Sequence, residues 1–458
     1  MSKHMRFFSW VVLLSCAGMA GDPRAGYAAM TASQWQDQLQ AEMQALSAMT
    51  PSLKIDGSVV VKQEQGKIIA TLPMMTVNAS VASRFVIPSI HFYADKTAFD
   101  KGGAIPVQVV LPEMISYHNQ AGAERGYVKI TTQNLTGTLR MSGRASGQAS
   151  GHYFETLSGS LQNVIYHDKI GQRQTGIEQI VLDASNASRP VLTATKIQNV
   201  AQSSGAVLRS SVDSAVLTYQ FAEQTHMTLP RVVGLLNPVM FLTERQPFTI
   251  DVAAQNIVHT DRKVQTATIQ QMNTRLQVVP GEQDAFLGGR LRTDIYNVTQ
   301  QPESAVGFIL PKKLTILGAL HNMPVQILNQ PFDVAHELMI QSGARADISE
   351  ILWNTDSKTS IYGTGWVRAA ANVPLGMVGR LELTIEDLRS LSAVLQKQLA
   401  TPGTNLKAKT QGYMVLMLLQ SLAKGDDTSS KIMLDLTPDG QVLVNNQDIS
   451  ALLGGSQR

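Results

Sequence analysis

His336 and Glu337 open the segment "HELMI", the first half of a zinc-protease helix. That chemistry needs a second histidine one helical turn on, so that two imidazoles hold the metal while the glutamate activates water. No histidine follows at the required spacing, and Glu337 has no zinc to serve. Nine histidines occur, at 4, 91, 118, 152, 167, 226, 259, 321 and 336, and none pairs with another four residues away. His152 and His167 flank an expected strand pair and would meet across it, but no carboxylate cluster accompanies them. No metal site is therefore expected.

Ser421 and Lys424 form S-x-x-K in "SLAK". In penicillin-binding enzymes that serine opens a helix and further Ser and Lys motifs follow it. Here it sits at a helix end and no KTG follows. There is no G-x-S-x-G elbow, and no spacing selects a catalytic triad. Asp426 and Asp427 in "KGDDTSS" read as a solvated loop rather than an acid/base pair. "SGRASGQASG" at 142–151 lacks the Lys-Ser/Thr ending of a phosphate loop. The expectation is a non-catalytic protein with no catalytic residue, no metal and no cofactor.

The composition supports this restraint. Of 458 residues 44% are hydrophobic, enough for a sizeable core, while only 16% are charged. Ser, Thr, Gln and Asn supply the remaining polarity, which suits sheet surfaces better than charged helices. The N-terminus carries Lys3 and Arg6, then an apolar run from Phe7 to Ala20, then small residues with "GYA" at 26–28 as a cleavage site. Residues 1–28 are expected to be a secretory signal peptide. Cys16, the only cysteine, lies in "LLSC", close to a lipobox. It is either a lipid attachment point or an incidental cysteine of the apolar run.

Cleavage after residue 28 removes Lys3, Arg6, Arg24 and Asp22 and lowers the formal net charge from +3 to +1. A nearly neutral chain with 6% aromatic residues offers no footprint for nucleic acid. No later stretch reaches the roughly 18 apolar residues of a transmembrane helix. The expected location is periplasmic, with a lipid anchor at Cys16 as the alternative.

These side chains need a scaffold, and the scaffold reads as β. A helix comes first: Thr31 and Gln34 have capping-box spacing, and Trp35, Leu39, Met43 and Leu46 share a face before Pro51. Alternating runs follow, from "KIDGSVVVKQEQGKIIATLPMM", a hairpin about "QEQG", to "FTIDVAAQNIVHT". A weak echo links "PVMFLTERQPF" at 238–248, "PVQILNQPF" at 324–332 and "PVQVVLPE" at 106–113. The fold class predicted is mainly β (β-rich α+β): an extended, curved antiparallel sheet of many meandering strands, an N-terminal helix and a C-terminal helix pair. The boundaries expected are 1–28, 29–347 and 348–458.

In the last part, glycines at 363, 365, 376 and 379 surround Trp366, and "GRLELTI" returns as a strand. Leu388, Leu391, Leu395 and Leu399 line a helix that Pro402 and Gly403 end; "YMVLMLLQSLAKG" is a second helix. The closing hairpin "KIMLDLTPDGQVLVNN" should turn at Asp439-Gly440, with Ile432, Leu434 and Leu436 on one face. Trp353 and Trp366 are read as sheet packing. The order of "TGW" strand, "GRLELTI" strand, leucine-rich helix pair and final hairpin resembles an uncharacterised periplasmic family of Gram-negative bacteria, broadly AsmA-like, and does so best over 348–450. The resemblance implies an envelope location and a long sheet that cradles lipid, and it names no functional residue. Typical AsmA-like proteins keep an N-terminal membrane helix, which cleavage here would remove. The leading expectation is an envelope protein that binds a lipid or other apolar ligand in a β-groove. A structural or adaptor protein joining envelope partners is the alternative, and a cell-wall hydrolase a third reading.

Overall fold

A computed structural model describes residues 31–49, 53–80, 83–101, 103–119, 121–141, 152–169, 172–203, 206–221, 247–261, 265–280, 286–301, 310–324, 332–355, 359–373, 375–387, 420–425 and 428–450, with single positions at 390, 393, 396 and 417. Residues 1–28 with Cys16, the segment 142–151, most of the expected C-terminal helix pair and most of the two later echo segments lie outside these residues. The described chain is mostly antiparallel strand, with few helices, so the mainly β fold is as expected. It divides into two compact units, Met1–Gly205 with Ser214–Phe248, and Ala206–Asp213 with Thr249–Arg458. The change of texture near residue 348 falls inside a strand of the second unit.

The first unit opens with α1 (Ala32–Met49). Its capping box forms as read: the Thr31 amide donates to Gln34 Oε1 at 2.8 Å, and the Gln34 amide donates to Thr31 Oγ1 at 3.2 Å. Trp35, Leu39 and Met43 are buried. Eight short strands follow: β1 (Leu53–Asp56), β2 (Val60–Glu64), β3 (Lys67–Leu72), β4 (Met74–Ser80), β5 (Ser83–Ile87), β6 (Ile90–Asp95), β7 (Ala104–Val110) and β8 (Met114–Asn119). The β2–β3 turn places Gln65 and Gly66 both at positive φ, 49° and 78°, the geometry of the tight turns that match strand twist. After β6 comes a short helix, α2 (Lys96–Lys101), capped by Asp95, whose Oδ1 accepts from the Thr97 amide at 2.8 Å. Its Phe99 is buried against Trp35, ring centres 5.2 Å apart.

Four long strands follow in this unit: β9 (Glu124–Met141), β10 (His152–Asp168), β11 (Arg173–Asp183) and β12 (Val191–Ser203), paired in sequence order. The free side of β9 forks. Its first half pairs with β8 and its second half with β7. One arm then runs β8–β5–β4–β1, the other β7–β6–β3–β2. Between the two contacts the Gln133 carboxamide stands in for a missing partner strand. It accepts from the Leu111 amide and donates to the Leu111 carbonyl, both at 2.7 Å. The outer edge of β2 is covered by α1, whose Gln40 and Gln36 side chains accept from the Val59 and Val61 amides at 2.7 and 3.2 Å. Covering an exposed edge in this way removes a template for unwanted strand pairing.

β9 to β12 share a crease. Asn163 in β10 and Lys196 in β12 have left-handed φ of 51° and 49°. The register places Asn163 opposite Thr131 and Glu178, and Lys196 opposite Glu178. Each is tied to a neighbour: Thr131 Oγ1 donates to the Asn163 carbonyl at 3.3 Å, and Lys196 Nζ lies 2.7 Å from Glu178. Crossing the crease turns the pleat over. Leu161 and Val164 are therefore both buried, as are Ile177 and Ile180, at a spacing that a straight strand would send to opposite faces.

In the second unit β13 (Ala206–Phe221) supplies its first residues, and β14 (Phe248–Asp261) all but its first. A meander follows: β15 (Gln265–Pro280), β16 (Phe286–Gln301), β17 (Pro311–Pro324), α3 (Phe332–Ser342), β18 (Arg345–Thr355), β19 (Ser360–Ala369) and β20 (Met377–Glu386). β15 to β20 pair in order, all antiparallel. This unit repeats the crease: Asn256 and Asn297 have φ of 51° and 50°. Their side-chain amides donate to Asp213, at 2.7 Å, and to Gln270.

β21 (Lys424–Gly425), β22 (Ser429–Leu436), β23 (Val442–Val444) and β24 (Gln447–Asp448) close the sheet, with β22 on β20. The final turn falls at the expected place, with Gly440 at φ 79°. Here too a side-chain amide fills a fork. β21 and β23 share one edge of β22, and Asn445 bridges them. Its Oδ1 accepts from the Met433 amide at 2.9 Å, and its Nδ2 donates to the Leu422 and Lys431 carbonyls at 2.5 and 3.1 Å. Asn445→Ala strips these bonds and strains a left-handed position. It should cost about 2–3 kcal/mol, read as a lowered urea midpoint, whereas an unchanged midpoint would show that the fork holds without it.

Candidate functional site

Four histidines are held by local hydrogen bonds. His91 bonds to Thr71 and Ser89, His118 to Ser116 and the Gly122 carbonyl, His259 to Ser210, and His336 to the Gly376 carbonyl. His152 and His167 do not meet. Both lie on β10, at opposite ends of one strand, paired with Met141 and Tyr127. Fifteen residues of extended chain hold their backbones about 50 Å apart. Ser421 lies in a helical turn that ends at Leu422 while Lys424 begins β21, so the S-x-x-K pair lacks the single helix its chemistry requires. Glu337 Oε1 accepts a hydrogen bond from Gln341. Among the described residues no three His, Cys, Asp or Glu side chains gather to hold a metal. His4, His226, Asp426 and Asp427 lie outside those residues.

What the structure does assemble is a face. In an antiparallel pair, residues directly opposite point to the same side. Following the register from β15 to β20 gives four rows. The first is Met272, Ile295, Leu314, Trp353, Ile361 and Ile385. The next three extend onto β22. They run Thr274, Thr293, Ile316, Ile351, Gly363, Leu383, Ile432; then Leu276, Leu291, Gly318, Ile348, Gly365, Leu381, Leu434; then Val278, Gly289, Leu320, Ala346, Val367, Gly379, Leu436. A bulge at Ser349 and Glu350 keeps β18 in phase. None of these positions bears a charge or a carboxamide. At ~4.8 Å per strand and ~3.3 Å per residue the rows cover about 29 Å by 20 Å.

The face is not sealed as a core is. Of the buried apolar residues among those described, 37 belong to the first unit and only eleven to the second. Met272, Leu276, Leu291, Ile295, Leu314, Ile316, Ile348, Ile351, Trp353 and Leu381 are all half-buried. Two glycines keep the face level: a Cβ on Gly363 would sit 2.5 Å from the Leu383 side chain, and one on Gly365 2.2 Å from the Arg380 carbonyl. The leucines lie down over the space the glycines leave.

The opposite face carries the charges, and several of them are paired. Arg275 makes a two-point contact with Asp251 at 2.6 and 2.9 Å, and Arg380 lies 2.5 Å from Asp435. Arg345 holds Asp347 at 2.6 Å and stacks over Trp366, 4.9 Å from its centre. The two tryptophans thus part company, Trp353 on the apolar face and Trp366 on the polar one. Asp294 is buried, and burial pushes its carboxyl upward. Hydrogen bonds from Arg292 and Thr315 outweigh that and hold it below the ordinary carboxylate range. A depressed carboxyl adds stability above its unfolded value, near 4, and loses it as pH falls through the lower folded value. Asp294→Asn should be less stable at pH 7, with a shallower loss of stability between about pH 4 and 2. Parallel acid-unfolding curves would overturn this assignment.

Sequence reasoning did not find this face because alternation in each strand gives two sides but not which sides align. The signal was present in "RLQVV", "KLTILGAL" and "GRLELTI", and the register makes it one surface. No helix among the described residues is long and apolar enough to cross a membrane. No protein-family model matches the chain, and no curated protein matches it.

Proposed function

We propose that this chain is an exported, non-catalytic envelope protein that binds the acyl chains of lipid on the apolar face of β15–β22. The carrying observation is the four-row surface of mostly aliphatic, largely half-buried side chains, backed by a face that carries the charges. A mostly aliphatic surface, whose two threonine hydroxyls bond to each other, gives a polar ligand little to hold. It offers an extended hydrocarbon about 0.8 kcal/mol for each methylene removed from water. The resemblance of residues 348–450 to AsmA-like envelope proteins and the signal-like N-terminus support the location.

The test is mass spectrometry of solvent extracts from the secreted chain, purified beside a control periplasmic protein. Stoichiometric lipid in the first and none in the second is the expected result. A lipid-free chain would sink the reading and turn attention to an adaptor role, to be followed by crosslinking in the intact envelope.

A further inference from the structure

One end of the apolar face runs out into an exposed apolar lip. On β19 and β20 the last row is Val367 and Gly379. Beyond it Leu375 and Met377 are 54% and 41% exposed, and Val334 of α3 is 39% exposed. The lip is anchored to α3, where His336 Nε2 donates to the Gly376 carbonyl at 2.6 Å. At the same end of the strands, His321, Arg345 and Arg368 stand directly opposite one another. Asp347 neutralises part of this row, being 2.6 Å from Arg345 and 3.1 Å from His321. Arg368 is exposed and has no ion partner among the described residues, and so is Arg290, which lies opposite Ala319.

We infer that this lip docks the second unit on an anionic phospholipid bilayer. Two observations select that occupant. The apolar side chains continue those of the face, so hydrocarbon passes from bilayer to face without crossing a polar rim on this side. Those two arginines stand at the same end of the strands on the opposite, charged face, where they complement anionic headgroups when this end of the sheet meets the bilayer, and apolar insertion with basic attraction is how peripheral proteins hold a bilayer surface. The inference rests in part on the lipid reading above, and the test separates the two.

Vesicle flotation of the purified chain is the experiment, with phosphatidylethanolamine vesicles made with and without phosphatidylglycerol. The lipid extracted from each protein sample is measured in parallel. The wild-type chain should float with the anionic vesicles and less so at high salt. Leu375→Asp with Met377→Asp should weaken binding at least about tenfold. Arg290→Gln with Arg368→Gln should weaken it about fivefold per arginine and flatten the salt dependence. All four positions are exposed, so thermal melts should match wild type and exclude misfolding. A wild-type chain that fails to float, or an aspartate variant that floats as wild type, overturns the lip. Variants that fail to float yet keep their extracted lipid confirm the lip and leave the face reading intact. A wild-type chain that floats without lipid keeps the lip and removes the face.

Discussion

Ile316→Asp should empty the second unit of lipid. Ile316 occupies the second row, opposite Thr293 and Ile351 and away from either end of the face. An ionised carboxylate there must be stripped of water whenever a hydrocarbon settles over it, at a cost of several kcal/mol. Extracted lipid should fall by at least about tenfold, while Ile316→Ala, which removes methylenes without adding charge, should keep most of it. Because Ile316 is only half-buried, the unoccupied variant can hydrate its carboxylate, and its melt should fall by a few degrees rather than collapse. Full lipid occupancy in the aspartate variant would place the ligand elsewhere. The mirror substitution Ala319→Asp, one strand position from Gly318 and on the charged face, should leave lipid content unchanged.

The largest effect on folding is expected at Gly159. Its φ is +150°, a conformation that side chains with a Cβ rarely adopt. A Cβ built there lies 2.0 Å from the Asn134 carbonyl oxygen and 2.7 Å from Leu135 Cα. Both are backbone of the paired strand β9 and cannot swing aside. Gly159→Ala should therefore cost about 3 kcal/mol or more, visible as a large drop in melting temperature or as loss of soluble protein. Gly176 on β11 is the control, since nothing lies within 4 Å of a Cβ there. Its alanine variant should be neutral or slightly stabilised. Equal behaviour of the two variants would show that β9 and β10 can part without loss.

Much of the local structure was legible because it depends on neighbours in sequence. Thr31 and Gln34 cap α1 through bonds spanning three residues, and Gln65-Gly66 and Asp439-Gly440 turn where their backbone freedom allows. The crease was hidden because it breaks the period that strand reading relies on. "LQNVIYH" has Leu161 and Val164 at helical spacing, and only the left-handed Asn163, facing Thr131 and Glu178, explains why both are buried in a strand. Gln133 was hidden because its partner, Leu111, is 22 residues away and is bound through backbone atoms that leave no mark in side-chain pattern. The His152–His167 expectation failed on element length. One strand of 17 residues replaced the expected pair and carried the histidines to its two ends. The apolar face was half legible: each strand declared an apolar side, and register, a long-range property, joined the sides into a surface.

The fork at β9 has a kinetic side. In most strands here the amides facing one edge lose protection together when that neighbour leaves, but β9 is bonded to β7 and β8 on one edge and to β10 on the other. Peeling either arm exposes only part of one edge, and the amides that face β10 stay closed until β9 and β10 separate along their full length. In deuterated buffer the amides between β9 and β10 should be the last of the first unit to exchange. Their rate should report the opening of that unit as a whole, while β1 and β2, at the tips of the two arms, should exchange by local fraying.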